Sequence, residues 1–525
     1  MITRRTLHKY LMGTTALALT AGGPGKLLAQ ERPALRIAVD NLWRTMSPMN
    51  GLSTTGNRIN INFYETFTEV DWFNDDTGAS VVPKLATSWE RDGNIWRFTM
   101  REGVMFHNGV EMTAEDAAFT LSEERYRSEE AYEPRGAIYT SNFVRVEAVD
   151  RYVLEIETDA PDPNMPQKLS GPQAKIVPKD YYLEVGVDEF GQNPIGTGPY
   201  KVTLFRPGEV MTMDAFEDYW GAPAPAASLE WRIVPEYAGR IAGVVAGDYD
   251  FAVNIPFDQQ EQVRRFDDVV LVNTTAPNYV MFAFNTRPDP EDNPLVDVRL
   301  RHAMIQGVDM DTIVQALFGD ETFHPAIPFN FPDYGDYYDP DMVDPHPYDP
   351  EAARALVEQT DYDGQELIWH ITRGFYDNYE TAAEIMIAQW AEIGINVRMV
   401  VVDNFSLAYQ RPFHLLNMSN GTAFIPGDPY QPLWLDWNPN STRASADWKV
   451  WDPTDRFVEL GAEFVRAVEF EERRAAYLAL SKEWQDVTPG MYMWKRLFSF
   501  AHRAGINWTP SSGEMRMYGD YLRIT

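Results

Sequence analysis

Ala383, Met386, Ile387, Trp390 and Ile393 recur at the three- and four-residue spacing that places side chains on one face of a helix. Gly394 follows as a stop, because glycine adopts without strain the left-handed backbone that ends many helices. Directly after it, Ile395-Asn396-Val397-Arg398-Met399-Val400 alternates apolar and polar side chains as a strand does. A helix with one apolar face and a strand beside it bury both by layering the helix on a sheet, which restricts the chain to an α/β architecture. The same grammar recurs elsewhere. Leu35-Arg36-Ile37-Ala38-Val39 reads as a strand ahead of a polar, glycine-containing stretch that runs through Gly56. Thr113 and Asp116 form a capping box that opens a helix through Ala117, Phe119 and Leu121. Strand-like runs return at 152–156 and 200–202, and Asp309 caps a short helix carrying Ile313, Val314 and Leu317 that Gly319 stops. The proline-rich acidic segments 288–294 and 325–350 read as surface connections. There is no internal repeat.

At 525 residues with 44% apolar composition, the chain has material for one large core or for two or three linked ones. The formal charge of −33 opposes binding to nucleic acid or to anionic lipid. It says little about a ligand, since an acidic surface also keeps an exported protein soluble. There is no cysteine, which excludes disulfides, thiolate metal sites, cysteine nucleophiles and a lipid-modified N-terminal cysteine.

The opening, Thr3-Arg4-Arg5-Thr6-Leu7-His8-Lys9, is followed by a largely apolar stretch from 10 to 21 and a small-residue cleavage candidate at Ala29. A basic start, a short apolar centre and a small residue at the cut make a secretory signal over residues 1–29. The adjacent arginines resemble a twin-arginine signal, with ordinary secretion as the alternative route. No later window is apolar for long enough to form a membrane helix, so the mature protein is expected in the periplasm, soluble and without a lipid anchor.

Four separated blocks resemble one family of receptors. The first is Pro83-Lys84-Leu85-Ala86-Thr87-Ser88-Trp89-Glu90, continuing through Trp96-Arg97-Phe98, Arg101 to Gly109 and Thr113 to Asp116. The second is Gly196-Thr197-Gly198-Pro199-Tyr200 ahead of Tyr219-Trp220-Gly221. The third couples Phe282-Ala283-Phe284-Asn285-Thr286 to Asp297-Val298-Arg299 and Ala303, and the fourth is Tyr348-Asp349-Pro350-Glu351-Ala352-Ala353 with Gly394-Ile395 downstream. In this order the blocks resemble the family 5 solute-binding proteins of ABC importers, which include dipeptide-, oligopeptide- and nickel-binding receptors. The glycines and prolines fix turns and Trp89, Phe98 and Phe106 pack a core, so the motifs belong to the scaffold and not to the ligand site.

The resemblance implies an α/β, two-lobed periplasmic-binding-protein fold of the peptide-binding type, with a hinge and an additional inserted subdomain. Lobe I would span about 31–275 with the insert near 64–196, lobe II about 276–498, and residues 499–525 would return to lobe I. Ligand closes such lobes by contacting both. Its partners would be a small organic solute and the ABC permease subunits at the inner membrane; the receptor would work as a monomer without a cofactor.

In peptide-binding relatives an Asp in the segment resembling 420–428 anchors the ligand's amino group. Here that segment is Asn420-Gly421-Thr422-Ala423-Phe424-Ile425-Pro426-Gly427-Asp428, where the anchoring position falls near Phe424 or Ile425 and Asp428 matches a more general turn position. An Arg that grips the ligand carboxylate in dipeptide-binding relatives corresponds to the neighbourhood of Arg373. A kept carboxylate clamp with a lost amine clamp would suit an N-acylated or otherwise modified peptide. Asn420, Thr422, Phe424 and Asp428 therefore join Arg373 as candidates. Ser53 and Thr55 before Gly56, with Trp43 and Trp434 as stacking surfaces, complete the set, and Trp437 is a further aromatic of that kind.

Other classes find less support. The H-E-x-x-H and G-x-S-x-G patterns are missing, and the abundant carboxylates single out no hydrolytic pair, so the chain reads as a binder and not an enzyme. The seven histidines beyond the signal show no ligand-like spacing for a metal. An oligosaccharide or a nickel chelate remains the alternative solute.

Overall fold

The computed structural model describes residues 32–48, 54–75, 79–127, 139–421, 425, 427–445 and 449–524, with only the backbone described at 54, 55, 127, 420 and 421. Residues 1–29, expected from the sequence to be an export signal, lie outside these residues.

A ten-stranded mixed sheet runs through the molecule. Its strand order is Val397–Val402, Leu367–Thr372, Leu415–Gly421, Val269–Phe284, Gly490–Arg503, Phe251–Val253, Ala34–Val39, Ser228–Ile233, Val210–Ala215, Tyr200–Arg206. The two central strands are the longest in the sheet, at sixteen and fourteen residues, and they serve both halves. Residues 269–275 pair with 497–503 beside the first half, and 279–283 pair with 490–495 beside the second. The register slips between Thr275 and Tyr279, where Pro277 has no N–H to give to the ladder. Slips of this kind bend a strand, and this one separates the stretch paired beside the first half from that paired beside the second.

Alternation along the second central segment sorts its side chains onto two cores. Val280, Phe282 and Phe284 pack with Trp369, Met386 and Trp390 on one face. Tyr279, Met281 and Ala283 pack with Trp437, Trp451 and Trp484 on the other. The first half has its own core around Ile37, Val39, Trp231, Phe251 and Phe500. A separate four-stranded antiparallel sheet, Ala86–Asp92, Ile95–Met100, Val153–Thr158 and Phe143–Asp150, carries a third kind of core that includes Phe98 and Phe106, with Trp89 partly buried against it. This is the two-lobed α/β fold with an added small sheet that the family blocks imply.

Most local signals act as read. Thr113 and Asp116 close a capping box on the helix Ala114–Thr120, with Leu121 just beyond it as the cap. Asp309 accepts from the Thr312 amide at 3.0 Å at the start of Met310–Phe318, and Gly319 ends that helix at φ +59°. The helix Tyr379–Glu392 ends at Gly394, φ +87°, and leads into Val397–Val402, parallel to Leu367–Thr372. The strand starts two residues later than its alternation suggests. The Ile395 amide turns back to the Trp390 carbonyl at 2.9 Å and closes the helix instead.

The segment 325–350 departs further from expectation. Phe329, Phe331 and Tyr334 are buried, and the Phe331 ring stacks on Tyr279 with centroids 3.8 Å apart. Its prolines and acids keep it irregular, while its aromatics make it a wall of the second lobe's core and not a surface connection.

Candidate functional site in the cleft between the lobes

The short helix Thr54–Asn60 is too short to be stable by its own hydrogen bonds and is held from outside. The Lys175 ammonium donates to the Oδ1 atoms of both Asn57 and Asn60. Asn57 Nδ2 donates to Glu514 Oε1 at 2.5 Å. Just beyond the helix, Asn62 donates to the Met515 carbonyl at 2.9 Å and accepts from the Met517 amide at 2.8 Å. Burial pushes Lys175 down to about 7, with Glu514 working the other way.

This staking fixes Arg58, which is 2% exposed. Its guanidinium lies over Phe498 at 5.9 Å and Phe500 at 5.5 Å, both on the central strand Gly490–Arg503. Nη2 donates to Asn254 Oδ1 at 3.1 Å, while Nε and Nη1 have no hydrogen-bond partner among the described residues. Burial pushes Arg58 down to about 10 and nearby Asp40 opposes that fall, so it is cationic at neutral pH. Asp40, which follows the strand Ala34–Val39, also keeps one oxygen, Oδ1, without a donor among the described residues.

From the central strand, Arg496 covers Tyr376 at 4.7 Å and Phe498 at 4.4 Å. Tyr376 and Asp377 come from the loop after Leu367–Thr372 in the second lobe. Asp377 keeps a face open to solvent, yet the protein around it raises its carboxyl above the usual range. Arg496 offsets that rise, while Asp258 and Asp40 add to it. Arg240 is a scaffold member of the cluster: its nitrogens donate to the Val253, Val234, Pro235 and Asn254 carbonyls at 2.7–2.9 Å and hold the Asn254 turn. Charges of both signs from both lobes and the strand between them thus share one seam, buried at Arg58 and open to solvent at Asp377.

The lobes also meet at a rim. A Cβ added at Gly427 would stand 2.4 Å from the Ala79 Cβ, and one at Gly335 would stand 3.1 Å from it. Tyr139 packs with Ile425 and Leu435, and the Lys168 ammonium lies 5.6 Å from the Tyr430 ring centre.

The residues singled out from sequence occupy varied places. Arg373 is on the surface, 63% exposed at its side chain, with Asp403 3.3 Å away. Asp428 is buried and both its oxygens take hydrogen bonds from Arg473, at 3.0 and 3.2 Å. Trp434 stacks on Phe457 at 5.9 Å, Trp437 is fully buried, and Trp43 is 36% exposed. Asn420 pairs with Tyr279 in the strand ladder. Ser53, Thr422, Phe424 and the side chains of Thr55 and Asn420 lie outside the described residues. The reading of the sequence passed over Arg58, Asp40, Arg496 and Asp377. One signal was available: Arg58 is the single charged residue between Arg44 and Glu65. Among the described residues, no group of three or more His, Asp or Glu converges to hold a metal.

Two lobes on a shared sheet, with charged side chains from each meeting in the cleft, define the class of two-lobed solute-binding proteins. Residues 80–442 match the bacterial extracellular solute-binding proteins, family 5 Middle, and the chain belongs to that family. It is 24% identical over 423 residues to the glutathione-binding protein GsiB of Pectobacterium atrosepticum, covering 78% of this chain and 77% of that one. It is 27% identical over 350 residues to heme-binding protein A of Haemophilus influenzae, covering 62% of each. In fold it is similar to the periplasmic binding protein DppA of Helicobacter pylori, solved with the peptide STSA. That match has a TM-score of 0.79 at 19% identity, over 94% of this chain and 98% of the other.

Proposed function

We propose that this chain is the substrate-binding component of an ABC importer, capturing a peptide or peptide-like organic solute between its lobes and passing it to the membrane permease subunits. The observation that carries this reading is the mixed-charge seam, where Arg58 and Asp40 of the first lobe lie near Arg496 and Asp377. A peptide carries charges of both signs and many N–H and C=O groups, and a seam that offers both signs can pair them as they leave water. The glutathione-binding relative and the peptide complex of the structural neighbour agree with it.

The protein acts by binding and not by catalysis, as an exported periplasmic monomer whose residues 1–29 serve as a signal of the twin-arginine kind. The lobes divide at about 275/276 and 498/499, with the insert over about 64–196. The register slip after Thr275 supports the first boundary.

The test is a thermal-shift screen of ligand-stripped mature protein against free and N-acylated di- and tripeptides, glutathione, oligosaccharides and nickel with histidine. A solute at a hundred times its Kd adds about 2.7 kcal/mol to the folded state, which raises the midpoint visibly. Peptides or glutathione are expected to raise it. A rise with sugars or the nickel chelate alone overturns the peptide reading and leaves the receptor role in place.

A further inference from the structure

We propose that Arg58 and Asp40 form a subsite for a carboxylate whose α-carbon also bears an N–H group. That unit is shared by the C-terminal residue of a peptide and by the head of a free or γ-linked amino acid. The inference rests on the receptor reading and names which part of the solute the first lobe grips.

Three observations converge on it. Arg58 is buried, and two of its nitrogens find no acceptor among the described residues. A buried charged donor left unmade is strongly unfavourable, so a group absent from the chain itself is expected to fill that place. Two other buried guanidiniums are filled from within: Arg301 donates to four carbonyls, of Leu295, Val296, Val487 and Thr488, and Arg473 donates to Asp428 and Phe464. Arg125, which also leaves two nitrogens unfilled, differs from Arg58 in donating from Nη1 to the Thr120 carbonyl near it in sequence. Second, Phe498 and Phe500 lie against the guanidinium. An acceptor has to come in along the plane of the N–H bonds, which is how a carboxylate meets an arginine.

Third, Asp40 lies near enough for its charge to act on Arg58, yet the two form no ion pair and, among the described residues, Asp40 Oδ1 has no donor. Opposite charges that close would collapse onto each other unless each were held. Arg58 is held by the stakes at Asn57 and Asn60. Asp40 follows directly on Val39, which is fixed in the parallel ladder opposite Ile233. Two neighbouring charges, each with unfilled hydrogen-bonding capacity, suit a ligand that shows negative charge to Arg58 and an N–H to Asp40.

The experiment is calorimetric titration of ligand-stripped protein with the dipeptide Met-Leu, its C-terminal amide, and γ-glutamylmethylamide. For the wild type, at least one of the two acids is expected to bind. Met-Leu amide should bind at least about 30-fold more weakly than Met-Leu if the peptide C-terminus is the source. Binding of γ-glutamylmethylamide alone would identify the amino-acid head instead. Arg58→Gln should abolish the preference for acid over amide, or the binding of γ-glutamylmethylamide. Asp40→Ala, which leaves the buried helix intact, should weaken the acid that binds by about tenfold, and it keeps the test decisive if Arg58→Gln does not fold.

An acid preference that survives in Arg58→Gln, or an unchanged affinity in Asp40→Ala, overturns the subsite while peptide binding stands. A wild type that binds neither acid overturns the subsite as well. If that protein responds to sugars in the thermal screen, the peptide reading falls with it.

Discussion

His107 donates from Nε2 to the Gly198 carbonyl at 2.9 Å, and its Nδ1 accepts from the Gly196 amide at 3.3 Å. With one nitrogen giving and the other receiving, the ring is held neutral. A second proton would set N–H against N–H, and burial pushes the pKa down to about 4. The depressed value means the unfolded chain takes up the proton first. Stability is therefore complete above about pH 6.5 and lost as the pH falls towards 4, at about 1.4 kcal/mol per pH unit. Urea unfolding across that range should show this loss, and His107→Asn should flatten the part of the slope that His107 supplies. Arg473 gives a second prediction at this scale. It and Asp428 are each 4% exposed, so Arg473→Met would strand a buried carboxylate and should cost about 3–5 kcal/mol in the same assay. Such partnerships explain what the sequence could not disclose about the site. Asp428 has a turn residue's neighbours in sequence, and its arginine is 45 residues away. Arg58 could have been noticed as a lone charge, but nothing local tells that two of its nitrogens are left unfilled.

At the scale of elements, the caps were the most legible features because their partners lie within four residues. Thr113→Ala removes the oxygen that accepts from the Glu115 amide and should cost about 1 kcal/mol, readable as a lower urea midpoint. The Gly196-Thr197-Gly198 turn was legible as a turn, but its reason is tertiary. A Cβ at Gly196 would stand 2.0 Å from the Phe63 carbonyl oxygen, and one at Gly198 would stand 2.8 Å from the Phe63 carbonyl carbon. The two long central strands escaped notice altogether. Val269–Phe284 mixes asparagine, threonines and a proline into its middle, and only its pairing with Gly490–Arg503 makes one strand of it. The buried aromatics of 325–350 escaped for a related reason: they follow no period, since an irregular wall has none.

For the whole molecule, closure depends on how near the rims can come. Ala79 faces two glycines, at 335 and 427, and both are in the left-handed region at φ +54° and +72°. Ala79→Trp places the bulk on the side without that backbone constraint and should hold the lobes apart. We expect a larger radius of gyration in solution scattering and about tenfold weaker solute binding, since apparent affinity falls with the closed fraction. An unchanged radius would mean that the rim contact does not limit closure. The α/β class and the order of scaffold blocks were readable because they rest on periodicity and turns. The sheet order was not, because a neighbour in space is set by packing across hundreds of positions.

The first lobe's core joins the beginning of the chain to its end. Phe251–Val253 pairs with Phe500, Ala501 and His502, and Trp508, Met515, Met517 and Leu522 pack beside Ile37 and Trp231. A polypeptide emerges from the ribosome with its N-terminus leading. This lobe therefore keeps an unpaired sheet edge during translation until residues 490–503 arrive, and its core stays open until 508–522 follow. Molecules halted before that point depend on whatever shields the open edge.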